Sequence, residues 1–360
     1  MTRPARVTID LAALQHNFSR VKEIAPGRKI MAVVKADAYG HGLARVARSL
    51  NSADAFGVAC LEEAEELRAA GIDNRIVLLE GPYSAEELLR ADFLNLDVVI
   101  HHESQLDMLE QVTLKKALQV WLKVDTGMHR LGFEPDRISK VWQRLQTSSN
   151  IDKDIVLMTH LATANELQND MVTRQLENFS AITKAINAEK SIANSAAIVG
   201  YPQSHADWLR PGLMLYGVSP QLNCSASDHD LKPVMSLRSE LISVKALKKG
   251  EPVGYGADWR CPSDTRIGIV AAGYGDGFPR HARSGTPALV NGKRASIIGK
   301  SSMDMLTVDL SAQAEAKVGD PVELWGANLA IEEVAMYAET IPYELLCGVH
   351  KRLTFEEING

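Results

Sequence analysis

Residues 30–42 read IMAVVKADAYGHG, an apolar run that ends at Lys35 and continues into a segment rich in glycine and alanine. The run over residues 30–34 lacks the alternation of a half-exposed strand, so it is typical of a parallel strand that is buried on both faces. Seven further short runs of this kind follow along the chain. They cover residues 55–59, 76–79, 97–100, 118–124, 155–158, 191–193 and 213–216.

Amphipathic helical patterns lie between these runs. Ile138, Val141 and Leu145 share the spacing of one helix face, and Ser84 with Glu87 is typical of a helix start. Strands that alternate with helices over about 220 residues predict a (β/α)8 TIM barrel. An open doubly wound sheet is the alternative, and periodicity alone does not separate the two architectures.

The composition changes at residues 219–233, where SPQLNCSASDHDLKP is polar and rich in serine and aspartate. The runs beyond this stretch are short and separated by glycine-containing turns, which is typical of β structure. We therefore predict an α/β protein with a TIM barrel over residues 1–228 and a mostly β domain over residues 229–360. The predicted strands of the second domain cover residues 237–244, 266–272, 288–290, 295–298, 305–308 and 321–324.

Composition argues against several classes of protein. The chain has 39 Lys and Arg against 45 Asp and Glu, a net charge of -6, whereas a nucleic-acid-binding protein is normally basic. Its four cysteines are widely spaced, so neither a disulfide framework nor a metal site is indicated. No run approaches the roughly 20 apolar residues of a membrane helix, and the N-terminus lacks the apolar core of a signal peptide. We expect a cytoplasmic protein with no nucleic-acid or membrane partner.

In a TIM barrel the catalytic groups lie at the carboxyl ends of the strands. Polar residues fall at several such positions in this sequence. Each has an ordinary interpretation when taken alone, since a lysine is usually solvated and a histidine or arginine is often structural. Their convergence on one end of the predicted barrel is what indicates a site. They are Lys35 after the first run, Arg130 after the fifth, His160 after the sixth, Asn194 and Ser195 after the seventh, and Arg210 and Gly212 just before the eighth.

Lys35 directly follows a buried strand, where desolvation favours the neutral amine that forms imines with carbonyl groups. The stretches NSAA (194–197) and RPGL (210–213) offer hydroxyl and backbone N–H donors beside the last strands. Barrels often bind a phosphate group there. An imine-forming lysine beside a phosphate site suggests pyridoxal 5′-phosphate (PLP) as the cofactor.

The chain resembles the alanine racemases, a family of PLP-dependent enzymes of fold type III. The resemblance extends from near residue 7 to near residue 353, so it covers both predicted domains. Seven blocks occur in the order that the family shows. They are AVVKADAYGHG (32–42), KVDTGMHRLG (123–132), THLATA (159–164), RPGLMLYG (210–217), PVGYGADW (252–259), GYGDGFPR (273–280) and SMDM (302–305).

The resemblance implies a two-base mechanism. Lys35 would hold PLP as an imine and serve as the base for the D-enantiomer, while Tyr255 of the partner subunit would serve the L-enantiomer. Arg130 and the backbone of Met303 match the contacts of the substrate carboxylate. The implied catalytic residues are therefore Lys35 and Tyr255, and the implied substrate-binding residues are Arg130 and Met303.

The resemblance also implies the contacts of the cofactor. Arg210 matches the residue that faces the pyridine nitrogen, and His160 matches the residue bonded to it. The implied phosphate contacts are Tyr39, Ser195, Gly212, Leu213 and Tyr343.

Three residues bear on the substrate pocket by the same resemblance. Tyr274 and Tyr343 match residues that narrow the substrate entrance, which implies that the substrate is as small as alanine. Lys123 matches a lysine that is carbamylated in some members, where it orients Arg130.

The implied protein is an isomerase and a homodimer whose active site is shared between the subunits. It would supply D-alanine for peptidoglycan synthesis, although the sequence equally allows D-alanine degradation. One alternative is a PLP-dependent amino-acid decarboxylase, but this chain has GVHKRL and SMDM in place of the cysteine-containing block expected there. A second is a non-catalytic PLP-binding protein, which would be a lone barrel and would lack Tyr255.

Overall fold

A computed structural model describes residues 3–360, and these residues form two units. The first unit comprises Asn17–Leu215 and Ser219–Cys224. The second comprises the segment up to His16, Tyr216–Val218 and Ser225–Gly360. The division differs from the expected pair of consecutive segments, 1–228 and 229–360, because the first strand of the chain pairs with strands of the second unit.

That first strand, β1, spans Arg6–Asp10 and its three central residues are buried. It is followed at once by the helix α1, Leu11–Ile24. The Asp10 carboxylate accepts a hydrogen bond from the backbone N–H of Ala13 at 2.9 Å, so the last residue of the strand also caps the helix.

The first unit contains a closed barrel of eight parallel strands, which confirms the predicted TIM barrel. The barrel closes where its first and last strands pair, through Lys29 with Trp208 and Ile30 with Leu209. The strands are β2 Lys29–Val33, β3 Ala55–Val58, β4 Arg75–Leu78, β5 Asp97–Ile100, β6 Val120–Lys123, β7 Val156–Met158, β8 Lys190–Asn194 and β9 Trp208–Arg210.

Helices separate the barrel strands. The Ser84 hydroxyl accepts from the Glu87 N–H at 3.2 Å, so Ser84 caps a helix as the sequence predicts. The predicted face of Ile138, Val141 and Leu145 is buried. The helices are α2 Lys35–Gly40, α3 Leu43–Ser49, α4 Leu61–Ala69, α5 Ala85–Phe93, α6 Glu103–Gln111, α7 Ile138–Thr147, α8 Met171–Thr183 and α9 Ser195–Gly200.

The eighth barrel strand lies earlier in the chain than the sequence predicts. Residues 213–216 form a 3₁₀ helix, and the strand is Trp208–Arg210. The run 213–216 is fully buried and apolar, as a barrel strand would be, whereas the real strand has only three residues and ends in a charge. Arg210 is therefore the last residue of a barrel strand, and Gly212 lies in the loop that follows.

Two tryptophans fill the interior of the barrel. The rings of Trp121 and Trp208 pack edge to face with their centroids 5.1 Å apart. The indole N–H of Trp121 donates to the buried Asp97 carboxylate at 2.8 Å, and Arg75 pairs with the same carboxylate at 3.0 Å. Desolvation raises the pKa of Asp97 to about 6. The barrel is thus a packed core, so a ligand is expected at its end.

The second unit is built on one eight-stranded sheet, which confirms the mostly β second domain. Neighbouring strands in this sheet are antiparallel, except that β1 and the last strand of the chain run parallel to each other. Each of the six strands predicted here overlaps an observed one. The elements are β10 Met235–Leu247, β11 Pro252–Val253, β12 Trp259–Arg260, β13 Thr265–Val270, β14 Pro287–Val290, β15 Lys293–Ile297, β16 Leu306–Asp309, β17 Pro321–Trp325, α10 Ile331–Tyr337, α11 Pro342–Cys347 and β18 Thr354–Ile358.

Within residues 3–360, no helix has the length and apolar character needed to cross a membrane. The same residues contain no group of three or more His, Cys, Asp or Glu side chains placed to bind a metal ion.

Candidate active site

Lys35 stands at the carboxyl end of the first barrel strand, two residues after β2 ends, and is half-buried. The four residues after it all have φ of 53–54° and ψ of 42–54°, so α2 begins with a left-handed turn. For residues other than glycine, this conformation costs about 1–2 kcal/mol per residue. Strain of this size at the end of a strand is typical of a functional site, because the surrounding structure has to hold it.

Two carboxylates stabilise the strained turn. The two Glu63 oxygens accept from the backbone N–H groups of Ala36 at 2.6 Å and Ala59 at 2.8 Å, so α4 is tied to the residue after Lys35. The Asp37 carboxylate accepts from the Leu43 N–H at 2.7 Å, at the start of α3. These bonds to α3 and α4 therefore fix the position of the backbone next to Lys35. Glu63 was not predicted, because its acidic helix resembles an ordinary solvated face.

A set of hydroxyl and backbone N–H groups lies beside the last two barrel strands. The buried Ser195 hydroxyl accepts from the N–H groups of Gly212 at 2.8 Å and Met214 at 3.4 Å. A Cβ on Gly212 would lie only 2.6 Å from the Tyr39 hydroxyl, so the glycine allows that close approach. The structure thus brings together Tyr39, Ser195 and Gly212, three of the predicted phosphate contacts. Leu213, the next residue in the chain, is the fourth.

Arg210 is buried at the end of β9. Its guanidinium donates to the Ser191 hydroxyl at 2.6 Å, to the Thr159 carbonyl at 2.6 Å and to the Ile192 carbonyl at 3.0 Å. These neutral acceptors fix the side chain and leave its charge uncompensated. Burial lowers the pKa of Arg210 to about 10, so the group still carries its charge at neutral pH.

The charge of Arg210 acts on His160, the residue that follows Thr159. Burial, together with the charges of Arg210, Lys123, Arg130 and Lys35, holds the pKa of His160 well below its usual range. The imidazole is therefore neutral at pH 7. Arg210 therefore lies close enough to His160 to act on its charge, while the bond between the two side chains that the resemblance implies stays a prediction.

Lys123 is the last residue of β6 and is buried. Its pKa is lowered to about 8, first by burial and then by the charges of Arg210, Arg130 and Lys35. Four cationic side chains therefore lie close together at this end of the barrel. Glu80 is the one carboxylate that opposes this shift among the principal influences on Lys123.

Arg130 is exposed and, among the described residues, its side chain makes no hydrogen bond or ion pair. The loop that carries it is fixed by Asp125, whose carboxylate accepts from the N–H groups of Gly127 at 2.9 Å and His129 at 3.1 Å. A positioned arginine with its five donors available suits a carboxylate ligand.

The remaining predicted site residues belong to the second unit. Tyr255 lies in a tight turn between Gly254 (φ 74°) and Gly256 (φ 78°), and it is 64% exposed. Tyr274, Met303 and Tyr343 are exposed as well. The structure brings Tyr274 and Met303 together, because the Tyr274 N–H donates to the Ser302 carbonyl at 3.0 Å.

Comparison with known proteins gives a consistent result for both units. The family model described as alanine racemase, N-terminal domain, matches residues 9–220, and the one described as alanine racemase, C-terminal domain, matches residues 234–356. An alanine racemase of Shewanella amazonensis is 51% identical over 354 residues, which is 97% of this chain and 97% of that protein.

Solved structures agree. The biosynthetic alanine racemase from Pseudomonas aeruginosa superposes with a TM-score of 0.97 at 47% identity and 99% coverage of both chains. The alanine racemase from Bartonella henselae, described with covalently bound pyridoxal phosphate, gives a TM-score of 0.89 at 28% identity over 99% of this chain and 100% of that one. On sequence and on structure, the chain belongs to the alanine racemase family.

Proposed function

We propose that this protein is a PLP-dependent isomerase that interconverts L-alanine and D-alanine. The observation that carries the proposal is the position of Lys35 at the end of the barrel that also presents the Ser195 hydroxyl and the Gly212 backbone, where its charge acts on Lys123 together with those of Arg130 and Arg210. This donor set suits an aldehyde that carries a phosphate group, together with a substrate that carries a carboxylate.

The residues of the barrel fit PLP. Gly212 allows the Tyr39 hydroxyl to approach the backbone beside Ser195, so two hydroxyl groups and the Gly212 backbone lie close together, which suits the binding of one small anion. Tyr39, Ser195, Gly212 and Leu213 would hold the phosphate, and Tyr343 is proposed as a further contact. When bound, PLP withdraws electrons from the Cα of the amino acid, so that its proton becomes removable.

Racemisation requires that a proton leaves one face of Cα and returns to the other. We assign the two faces to two side chains: the Lys35 amine serves the D-enantiomer, and the phenol of a partner subunit's Tyr255 serves the L-enantiomer. Two fixed groups suit this reaction better than one, because a single base would have to cross the plane of the bound substrate. The exposure of Tyr255 on its own chain supports this assignment.

Arg130 and the backbone N–H of Met303 would bind the substrate carboxylate. Both are available, since neither the Arg130 guanidinium nor the Met303 N–H donates a hydrogen bond within residues 3–360. Tyr274 and Tyr343 would restrict the pocket to small side chains such as methyl.

Arg210 would face the pyridine nitrogen of the cofactor, with His160 beside it. An arginine that is already protonated cannot share a proton with that nitrogen in the way a carboxylic acid does. The nitrogen would stay unprotonated, which limits the delocalisation of negative charge into the ring. We infer that Arg210 favours return of the proton to Cα over transamination.

We further propose a homodimer in which each barrel is completed by the second unit of the other subunit. The similarity to the biosynthetic enzyme of P. aeruginosa supports a role in supplying D-alanine for peptidoglycan. All four cysteines are free thiols, which agrees with a cytoplasmic location.

The deciding experiment combines cofactor trapping with turnover. Borohydride reduction and peptide mass spectrometry should find a pyridoxyl adduct on Lys35, and Lys35→Arg should lose it. L-Alanine incubated in D₂O with the enzyme should yield D-alanine with deuterium at Cα. Tyr255→Phe should reduce turnover by about 100-fold or more, whereas Tyr83→Phe, an exposed tyrosine of the barrel unit, should not. Carbon dioxide release would indicate a decarboxylase, and an adduct without turnover would indicate a binding protein.

A further inference from the structure

A carboxylate deep in the second unit holds together segments that are far apart in the sequence. The Asp276 side chain is fully buried. One of its oxygens accepts from Arg352 Nε at 2.8 Å and from Arg3, and the other accepts from Arg3 at 2.7 Å and from the Gly273 N–H at 2.9 Å. A buried carboxylate is tolerated only when charged donors compensate for its lost hydration, and the two arginines are these donors.

Both arginines extend from Asp276 to the loop that carries Met303. Arg3 also donates to the Asp304 carbonyl at 2.8 Å. Arg352 donates to the Met303 carbonyl at 3.3 Å and pairs with the Asp304 carboxylate at 2.9 Å. We define Asp276, Arg3 and Arg352 as the clamp. It joins the start of the chain and the segment before β18 to the loop at residues 302–305.

The backbone around Asp276 packs against the same loop. The N–H groups of Tyr274 and Gly275 donate to the carbonyls of Ser302 at 3.0 Å and Met303 at 2.8 Å. A Cβ on Gly273 would lie 2.3 Å from the Ser302 carbonyl oxygen, so only glycine allows this close approach. The entrance residue Tyr274 and the loop are therefore positioned as one piece.

These bonds set the direction of the Met303 N–H. In a trans peptide the C=O and N–H point in opposite directions, and the described chain has no cis peptide. Because the Ser302 carbonyl points towards the Tyr274 N–H, the Met303 N–H of the same peptide must point away from that turn. In the described part of the chain this N–H donates to no acceptor.

We propose that Arg3, Asp276 and Arg352 are positioning residues that hold the Met303 N–H in the direction that receives the substrate carboxylate. The expected change in KM rests on the proposed function, whereas the expected rigidity of the loop does not. Arg3 is the sharpest probe. Its removal leaves Asp276 paired with Arg352 and takes away one of the two arginines that reach the loop.

The test compares Arg3→Ala with Arg6→Ala in the PLP-loaded enzyme. Arg6 lies three residues further on and makes only a loose ion pair with Glu240 at 3.9 Å, so it is a matched control. Suppose that a substitution weakens binding of the substrate carboxylate equally in the ground state and the transition state. KM then rises and kcat is unchanged. We expect Arg3→Ala to raise the KM for L-alanine by about tenfold, with kcat within about twofold, and Arg3→Lys to give an intermediate value.

Hydrogen–deuterium exchange of residues 302–305 supplies a readout that does not depend on turnover. Arg3→Ala should speed exchange there by about tenfold, while Arg6→Ala should not. Unchanged KM and unchanged exchange in Arg3→Ala would overturn the inference, and so would a fall in kcat at constant KM, because weaker binding of the carboxylate in both states would raise KM. If the wild-type protein fails to racemise alanine, the proposed function is wrong, and exchange alone then decides whether the clamp orders the loop.

Discussion

The cationic side chains at the barrel end repel one another, and the structure shows the consequence in Lys123 and His160. Burial lowers the pKa values of both groups most, and the charges of Lys35, Arg130 and Arg210 lower them further. In a region of low dielectric such repulsion is costly unless an anion is present. A phosphate and a carboxylate would each relieve it. The same charges therefore favour binding of the cofactor and of the substrate.

The Glu63 carboxylate fixes the backbone next to Lys35 through its bonds to the Ala36 and Ala59 N–H groups. We expect Glu63→Gln to lower kcat/KM for alanine by about tenfold, because an amide has one acceptor oxygen and cannot bridge both the Ala36 and Ala59 N–H groups. The measurement is steady-state racemisation in both directions. Glu62→Gln is the matched control, since Glu62 is the exposed neighbour on the same helix. Equal activity of the two variants would contradict a role for Glu63.

The helix that begins at Lys35 is also held by a buried residue, His41. Its ring Nδ1 lies 3.0 Å from the Ala38 carbonyl and 2.9 Å from the Tyr39 carbonyl, which fixes the ring below the left-handed turn. Burial lowers the pKa of His41 to about 4. The unfolded chain, with a histidine pKa of about 6.5, therefore takes up a proton between these values that the folded protein does not.

This difference predicts that stability falls as the pH drops below 6.5. From His41 alone, the free energy of unfolding should decrease by about 2 kcal/mol between pH 7 and pH 5. His41→Gln should be less stable than the wild type at pH 7 but should lose less stability on acidification. Urea unfolding of both proteins at the two pH values measures this. His281→Gln, at an exposed site, should keep the full wild-type pH dependence. The same pH dependence in His41→Gln and wild type would contradict the assignment.

Local patterns were enough to predict the barrel strands except the last. Seven of the eight strands are buried on both faces and appear in the sequence as plain apolar runs. Trp208–Arg210 does not, because it has only three residues and ends in a charged one. The candidate site residues at strand ends were predicted from the expected barrel, because its catalytic groups lie at the carboxyl ends of the strands. The left-handed turn after Lys35 has no sequence signature, because alanine and tyrosine rarely adopt that conformation.

Contacts between distant segments were beyond sequence reasoning for a different reason. Arg3 and Asp276 are separated by 273 positions, and no periodicity links two such residues. The strand β18 is mostly exposed and its sequence is polar, so the sequence alone does not predict a strand there. In the structure, β18 pairs with β1. A single sequence reports local preferences, whereas pairings of this kind depend on the complete fold.

At the scale of the whole molecule, the proposed homodimer gives a role to exposed side chains of the second unit. Tyr255, Tyr274 and Met303 present large apolar surfaces to solvent, and two of these residues are proposed to contact the substrate or its Cα proton. In the proposed symmetric dimer, the same pair of surfaces would be used twice. The proposed site then draws Lys35 from one subunit and Tyr255 from the other.

This arrangement predicts that two inactive variants restore each other. Lys35→Ala and Tyr255→Phe homodimers should each lack one base in both sites. After unfolding and refolding as an equal mixture, half of the dimers are mixed and carry one intact site each, so roughly a quarter of wild-type activity should return. The Lys35→Ala/Tyr255→Phe double variant, refolded with wild type, controls for the procedure, because a mixed dimer of these two has no intact site when sites are shared. If both residues of a site came from one chain, the first mixture would stay inactive and the second would keep half of its sites.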